Sequence, residues 1–425
     1  MEYEKIVAGL DIGSTKVLVL VGKKNSDGFL EILGIGEAPS TGVVSGVITN
    51  LDKTVHAIQT AIKQAEINSG IDIRVINVGI SGRHITSSLH HGSITREHTE
   101  DEIRLADVHR LTKDMYKILT PPGQQIIHVI PQSYTVDYSA GIHDPIGMQG
   151  IRLEADFNVI TASTNAVKNI HKCIHRSGVD TIELFLSPLA ASLAILTAEE
   201  KEAGVCLLDI GGGAVNMAIF NEGMLQHTAH FPFAGNSITS DIKMGLQTME
   251  HQAELLKTKF GKAIVEETSI EEMVSVPGVG NFSTKNISLH NLAQIIEARM
   301  EEIIAMVHQE MIVSGFHNKL MAGTVITGGG AQVTSLTKLI KYMTGIDTRL
   351  GTPNHLFAKA QMELIHNPAY AMCLGLLLAE FQQAAKDSKP PVKQNSHHHA
   401  KKEKQYFFKK ILHKTKGLLI DDAEG

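Results

Sequence analysis

Two stretches of the chain carry the same pattern of apolar and polar positions. GLDIGSTKVLVLV (residues 9–21) and LLDIGGGAVNMAIF (residues 207–220) each read as an apolar strand, an Asp, a Gly-rich turn and a second apolar strand. A shift of 198 residues lays Asp11, Ile12, Gly13 and Val17 on Asp209, Ile210, Gly211 and Val215. An internal repeat at this spacing predicts two similar α/β lobes, each opening with a β-hairpin. After the first hairpin, Val55, Ile58, Ile62 and Ile67 predict a helix over 52–69, and a strand follows at 74–81. Residues 85–162 read as an insertion, with a charged helix over 101–119, a Pro-Pro-Gly break at 121–123 and strands near 126–137 and 153–161. Helices over 165–177 and 187–197 lead into the second lobe. A second insertion, 236–314, carries helices over 241–260 and 288–314. The lobe resumes with a strand at 323–327, a Gly triplet, a helix over 333–344 and an apolar helix over 370–383.

The expected layout is therefore 1–84 with 163–198 as the first lobe and 85–162 inserted in it. Residues 199–235 with 315–385 form the second lobe, with 236–314 inserted. Residues 386–400 (KDSKPPVKQNSHHHA) have linker composition, and 401–425 form a basic terminal helix.

The two turns bring in candidate chemistry. Phosphates need several backbone N–H donors converging on one point, and Gly permits the tight turn and close approach. Gly13, Ser14, Thr15 and Lys16 can wrap one phosphate, and Gly211, Gly212 and Gly213 another. Asp11 and Asp209 cannot face phosphates directly, because like charges repel. They fit if Mg²⁺, reached through water, lies between them and the phosphates. Gly328, Gly329 and Gly330 stand between a strand and a helix, a third place for a ligand to approach backbone.

Charge separates the tail from the body. Residues 386–425 hold ten Lys and five acids, so that of the net −6 the first 385 residues carry about −11. A body this acidic argues against a nucleic-acid partner. Cys173, Cys206 and Cys373 form no CxxC and read as buried thiols of a reducing compartment. The start MEYEK has no basic or apolar leader pattern, and the longest apolar run, 369–379, is far shorter than a bilayer span, so a cytosolic chain is expected.

The order of hairpin, insertion, apolar helix, hairpin, insertion and GGG resembles the actin, chaperone and sugar-kinase ATPase superfamily, with two RNase H-like lobes. Within it, VGISGRHI, HVIPQSYTVD, GIHDPIGMQGIRLEA, AGNSITSDI, AELLK, VPGVG, IIEARMEEI and NPAYAMCLGLL are similar to the FtsA family of bacterial cell-division proteins. The likeness covers almost the whole chain. It implies that 85–162 is the family's 1C subdomain, the lobes 1A and 2A, and 236–314 the 2B subdomain. It also implies ATP with Mg²⁺ held by the two phosphate loops and the Gly328–330 adenosine motif. Glu254 and Lys257 would serve ribose and adenine, with Asn236 at the mouth. One departure stands out: relatives read DIGGGTTD where this chain has Ala214 and Asn216, which removes a hydroxyl and a carboxylate.

The resemblance further implies self-association and binding of the C-terminal peptide of the tubulin-like protein FtsZ, with Arg299 as a basic contact. Other division proteins are implied as partners, at the division septum on the cytoplasmic face of the membrane. A small-molecule kinase or an actin-like pilus-assembly protein would share the fold. No acceptor-side base is identifiable for a kinase, so slow turnover at most is expected, and the motifs within 85–162 disfavour the pilus alternative. The tail KKEKQYFFKKILHKTKGLLI supplies a membrane device. On a helix, Phe407, Phe408, Ile411, Leu412, Leu418 and Leu419 share one side, with Lys409, Lys410, Lys414 and Lys416 opposite and flanking. That pattern suits a helix lying on anionic lipid.

Overall fold

The computed structural model describes residues 5–25, 28–96, 101–277, 284–353 and 366–388. The terminal helix expected over 401–425, with every membrane-facing residue named in it, lies outside the described residues, as does most of the linker. A compact body ends at Gln383; of the second unit, Ala384–Gly425, residues 384–388 are described as the end of a helix.

The repeat seen in the sequence is a repeat of topology. In the first sheet, β1 (Ile6–Ile12), β2 (Lys16–Lys24) and β3 (Leu30–Pro39) run antiparallel. β6 (Val75–Ile80) and β11 (Asp180–Leu186) extend it in parallel on the other side of β1, giving the order β11-β6-β1-β2-β3. In the second sheet, β12 (Val205–Ile210), β13 (Val215–Asn221) and β14 (Met224–Phe231) repeat the antiparallel trio. β17 (Thr324–Thr327) and β18 (Thr348–Leu350) complete the order β14-β13-β12-β17-β18. β1 and β12 are central and buried on both faces, which is why they read as continuous apolar runs rather than alternating ones.

The helices between the lobes explain how the halves hold together. α4 (Ser187–Ile195) and the last helix, α10 (Ala371–Ser388), share one hydrophobic core with residues of both sheets, including Leu18, Leu20, Leu207 and Phe220. A Cβ on Gly375 would lie 1.8 Å from the Ala190 carbonyl oxygen, so the two helices cross backbone to backbone. On the outer face of the first sheet lie α1 (Leu51–Ser69) and α3 (Thr164–Arg176). The short α5 (Ala198–Ala203) leads into the second sheet, on whose outer face lie α6 (Gly235–Gly245), α8 (Leu289–Val313), α9 (Leu336–Thr344) and the antiparallel pair β15 (Met273–Val276) and β16 (Lys285–Ser288). Between β6 and α3 the chain makes a separate four-stranded sheet, β7 (Ile85–Thr95), β10 (Arg152–Ser163), β8 (Gln124–Val136) and β9 (Ser139–Ile142), packed on α2 (Leu105–Met115).

Several sequence expectations shift. Ile67 does not join the buried face of α1: it is 72% exposed, and Ala61 and Ala65 occupy that stripe. The single helix over 241–260 is two helices, α6 starting already at Gly235 and α7 (Glu250–Phe260). The break falls where Gln247 takes a left-handed φ of 46°. The helix after the Gly triplet starts at Leu336, preceded by a 3-10 turn over Gly329–Gln332. α10 continues to Ser388, so the first residues assigned to the linker are helical.

Candidate nucleotide cleft

The tips of the two hairpins meet. Gly13 N–H donates to Lys16 O at 3.0 Å, and Gly211 N–H to Ala214 O at 2.9 Å, so the turns are built alike. A Cβ on Gly212 would fall 2.2 Å from Thr15 Cγ2, and one on Gly213 2.4 Å from Ser14 Oγ. Bare backbone is what lets the turns approach this closely. A short hairpin, β4 (Val43–Val44) with β5 (Val47–Ile48), straps them together. Its Ser45 hydroxyl donates to Gly213 O at 2.9 Å, and its Gly46 N–H donates to Ser14 Oγ at 3.3 Å.

Behind the contact is a cavity of about 110 Å³ lined by Asp11, Gly13, Ser14, Thr15, Lys16, Asp209, Gly211, Gly212, Gly213, Asn216, Gly328 and Gly329. Thus both hairpins and two residues of the Gly triplet face one space. Sequence reasoning missed Gly46, Ser81, Ser187, Pro368, Ala369 and Met372, which line it too. Of these, Ser187 opens an apolar helix and Gly46 lies in a Ser-Gly turn, and neither carries a distinguishing local pattern. Gly328 adopts φ 90°, and a Cβ there would lie 2.5 Å from Asp209 Oδ1, so a side chain is excluded. Gly330 packs on Ile210 and Gly211 instead of lining the cavity.

The two carboxylates are under electrostatic pressure. Burial, then repulsion from Asp209, pushes Asp11 up to about 7, with Lys16 opposing. Burial pushes Asp209 up to about 6, and a hydrogen bond from Asn216 pulls it back. Two half-buried acids that resist ionisation and line one cavity form a hard oxygen donor set suited to a divalent cation such as Mg²⁺. Lys16 meanwhile sits with Nζ 3.1 Å from Glu37 Oε2 and 4.6 Å from the Tyr370 ring centre.

Four other residues singled out from sequence lie off this cavity. Lys257 is buried, its Nζ donating to Gly235 O at 3.0 Å, Thr239 Oγ1 at 2.8 Å and Glu254 Oε2 at 2.7 Å. Lys257 and Glu254 thus brace the start of α6, whose Gly235 N–H reaches back to Gly211 O. Asn236 lines a neighbouring cavity of about 400 Å³, together with Ser45, Gly213, Phe233, Asp241 and Arg299. Arg299 grips Asp241 with two nitrogens, at 2.5 and 3.1 Å, and Glu302 with a third at 2.5 Å. Glu297, on the same helix as Arg299, accepts from Val265 N–H.

Comparison with known proteins agrees with this architecture. The model of "Cell division protein FtsA" matches residues 206–375, and that of the "SHS2 domain inserted in FTSA" matches residues 82–161. The chain is 38% identical to the cell division protein FtsA of Pseudomonas aeruginosa, over 89% of this chain and 90% of that one. It is 34% identical to that of Escherichia coli, over 88% and 90%, and 34% to that of Bacillus subtilis, over 89% and 84%. Among solved structures, the PilM-PilN type IV pilus biogenesis complex superposes with a TM-score of 0.63 at 16% identity, covering 88% of this chain and 98% of that one. MreB5 of Spiroplasma citri bound to ADP superposes with a TM-score of 0.53 at 13% identity, covering 91% and 99%. These likenesses show the actin-like ATPase fold. The repeated hairpins, the inserted sheet and the sequence identity over nine-tenths of the chain meet in one conclusion: this chain belongs to the FtsA family of cell division proteins.

Proposed function

We propose that this cell-division protein binds ATP with Mg²⁺ between its two hairpins, self-associates, and ties FtsZ filaments to the cytoplasmic face of the membrane at the septum. The observation that carries the nucleotide reading is the convergence of both Gly turns and both half-buried carboxylates on one cavity. Within the turns Gly13 to Lys16 and Gly211 to Gly213, N–H groups other than those of Gly13 and Gly211, which close the hairpins, would serve the phosphates. Asp11 and Asp209 would hold Mg²⁺ through water, and the ion would supply charge neutralisation at the phosphates. Glu254 and Lys257 remain the expected ribose and adenine contacts, with Asn236 at the mouth and Gly328, Gly329 and Gly330 beside the adenosine. A cavity of about 110 Å³ is below the roughly 300–1,000 Å³ usual for ligand pockets. Binding therefore requires the lobes to part at the Ser45 strap.

Two further features support the scaffold reading. Arg299 presents a guanidinium fork beside a cavity, where an acidic or carboxyl-ended FtsZ peptide would compete with Asp241 for it. Among the described residues no helix is long and apolar enough to cross a membrane, so attachment is assigned to the amphipathic sequence 401–420. Each Lys near anionic lipid adds about 1 kcal/mol. Assembly into a polymer would add multivalency.

The test is liposome co-sedimentation with FtsZ. The full chain should pellet with anionic liposomes and carry FtsZ down. A chain lacking 401–425, or one with Phe408→Glu, should leave both in the supernatant. Arg299→Glu should still pellet but carry at least about tenfold less FtsZ, the order expected when a charged hydrogen-bonded partner is reversed. Pelleting of the truncated chain contradicts the tail assignment, and undiminished FtsZ with Arg299→Glu contradicts the docking assignment.

A further inference from the structure

The register of the second sheet places four polar residues in one row across neighbouring strands. Thr327 of β17 pairs with Asp209 of β12, Asp209 with Asn216 of β13, and Asn216 with His230 of β14. Directly opposed residues share a face of the sheet. The corresponding row of the first sheet runs Asp11, Leu18, Glu37. The repeat thus differs where it matters: Asp11 is followed by a fully buried Leu18, Asp209 by a buried amide.

Hydrogen-bond chemistry fixes how that amide points. Asn216 stands directly across from Asp209, and the NH₂ is the only donor its amide can turn to that carboxylate. The amide oxygen Oδ1 is then left for His230, whose Nδ1 lies 2.9 Å away. An amide oxygen only accepts, so Nδ1 carries the hydrogen and Nε2 keeps the lone pair. Nε2 is buried and has no hydrogen-bond partner, as do both ring nitrogens of His84. Burial first, and His84 second, lowers His230 to about 4, which leaves the ring neutral at physiological pH.

We propose that His230 is a positioning residue of the cleft: its Nδ1–H holds the Asn216 amide turned so that the NH₂ group faces Asp209. Without that donor the amide is free to rotate and set its oxygen against the carboxylate. The proposal rests on the nucleotide reading above for its consequence, a Mg²⁺-dependent loss of affinity, but not for the hydrogen-bond chain itself.

Two measurements on the full chain separate these. Nitrogen-15 NMR of labelled His should show His230 as the neutral Nδ1–H tautomer between about pH 6 and 8; an Nε2–H tautomer overturns the proposal. Calorimetry should then show Mg–ATP bound about tenfold more weakly by His230→Leu, the cost of one orphaned buried acceptor. His230→Asn, whose amide can donate from the place of Nδ1, should stay within about twofold of the wild type. With EDTA present the deficit of His230→Leu should disappear. Equal losses in both variants, no loss in either, or a deficit that persists in EDTA overturns the positioning role. A wild-type chain that binds no Mg–ATP removes the nucleotide reading and the role together, and the tautomer still reports whether the hydrogen-bond chain exists.

Discussion

At the scale of single residues, the cleft and the core load the same pH range with opposite signs. His128 is buried and accepts Leu186 N–H at Nε2 at 3.0 Å, and burial lowers it from 6.5 to about 4. It is neutral in the fold but charges in the unfolded chain below 6.5, so the unfolded state binds more protons and stability falls as pH drops from 6.5 towards 4. Asp11 acts the other way. Its folded value near 7 lies above the ordinary 3.8, so its contribution is fully present below 3.8 and is lost as pH rises through 7. His128→Gln, whose amide oxygen can accept the same N–H, should lose less stability than the wild type between about pH 7 and 4.5 in urea unfolding; equal losses would remove His128 from this account. The residues legible in the sequence were those whose need is local: Asp11 and Gly13 stand in one hairpin, Asp209 and Gly211 to Gly213 in the other. Ser45 and the Asn216–His230 pair were not legible, because what joins them to the site is register and lobe contact between distant segments.

At the scale of elements, the contact between α4 and α10 matters most. These helices lie between the sheets and share a core with both. Their crossing depends on Gly375, since a Cβ there would meet the Ala190 backbone oxygen at 1.8 Å and cannot be relieved by turning a side chain. Gly375→Ala should therefore destabilise the body by about 1–3 kcal/mol, as other overpacking changes do, despite its better helix propensity. Chemical denaturation reads this directly, and a variant as stable as the wild type would show that the helices separate without strain. Periodicity located α1, α3 and α8 to within a residue or two of their ends, because each buries one continuous stripe. It missed the break between α6 and α7, where the helix ends at Gly245 and Gln247 turns left-handed. It also over-read Ile67, an apolar residue standing in solvent.

At the scale of the molecule, the fold is two copies of one plan facing each other, held behind by α4 and α10 and in front by the Ser45 strap. Both lobes and their order were readable because the repeat is written in the apolar pattern. The closeness of the turns was not, because it depends on how the lobes sit. That closeness gives the account its most direct test, isothermal titration calorimetry of Mg–ATP with the wild-type chain and with Gly212→Asp. The aspartate would stand at the meeting point of the hairpins, within reach of Thr15 and Asn236 and beside the proposed phosphate site. Saturable binding by the wild type and none by Gly212→Asp are expected, with the circular dichroism of the variant unchanged. Wild-type affinity in the variant, or no binding by the wild type, would contradict this expectation.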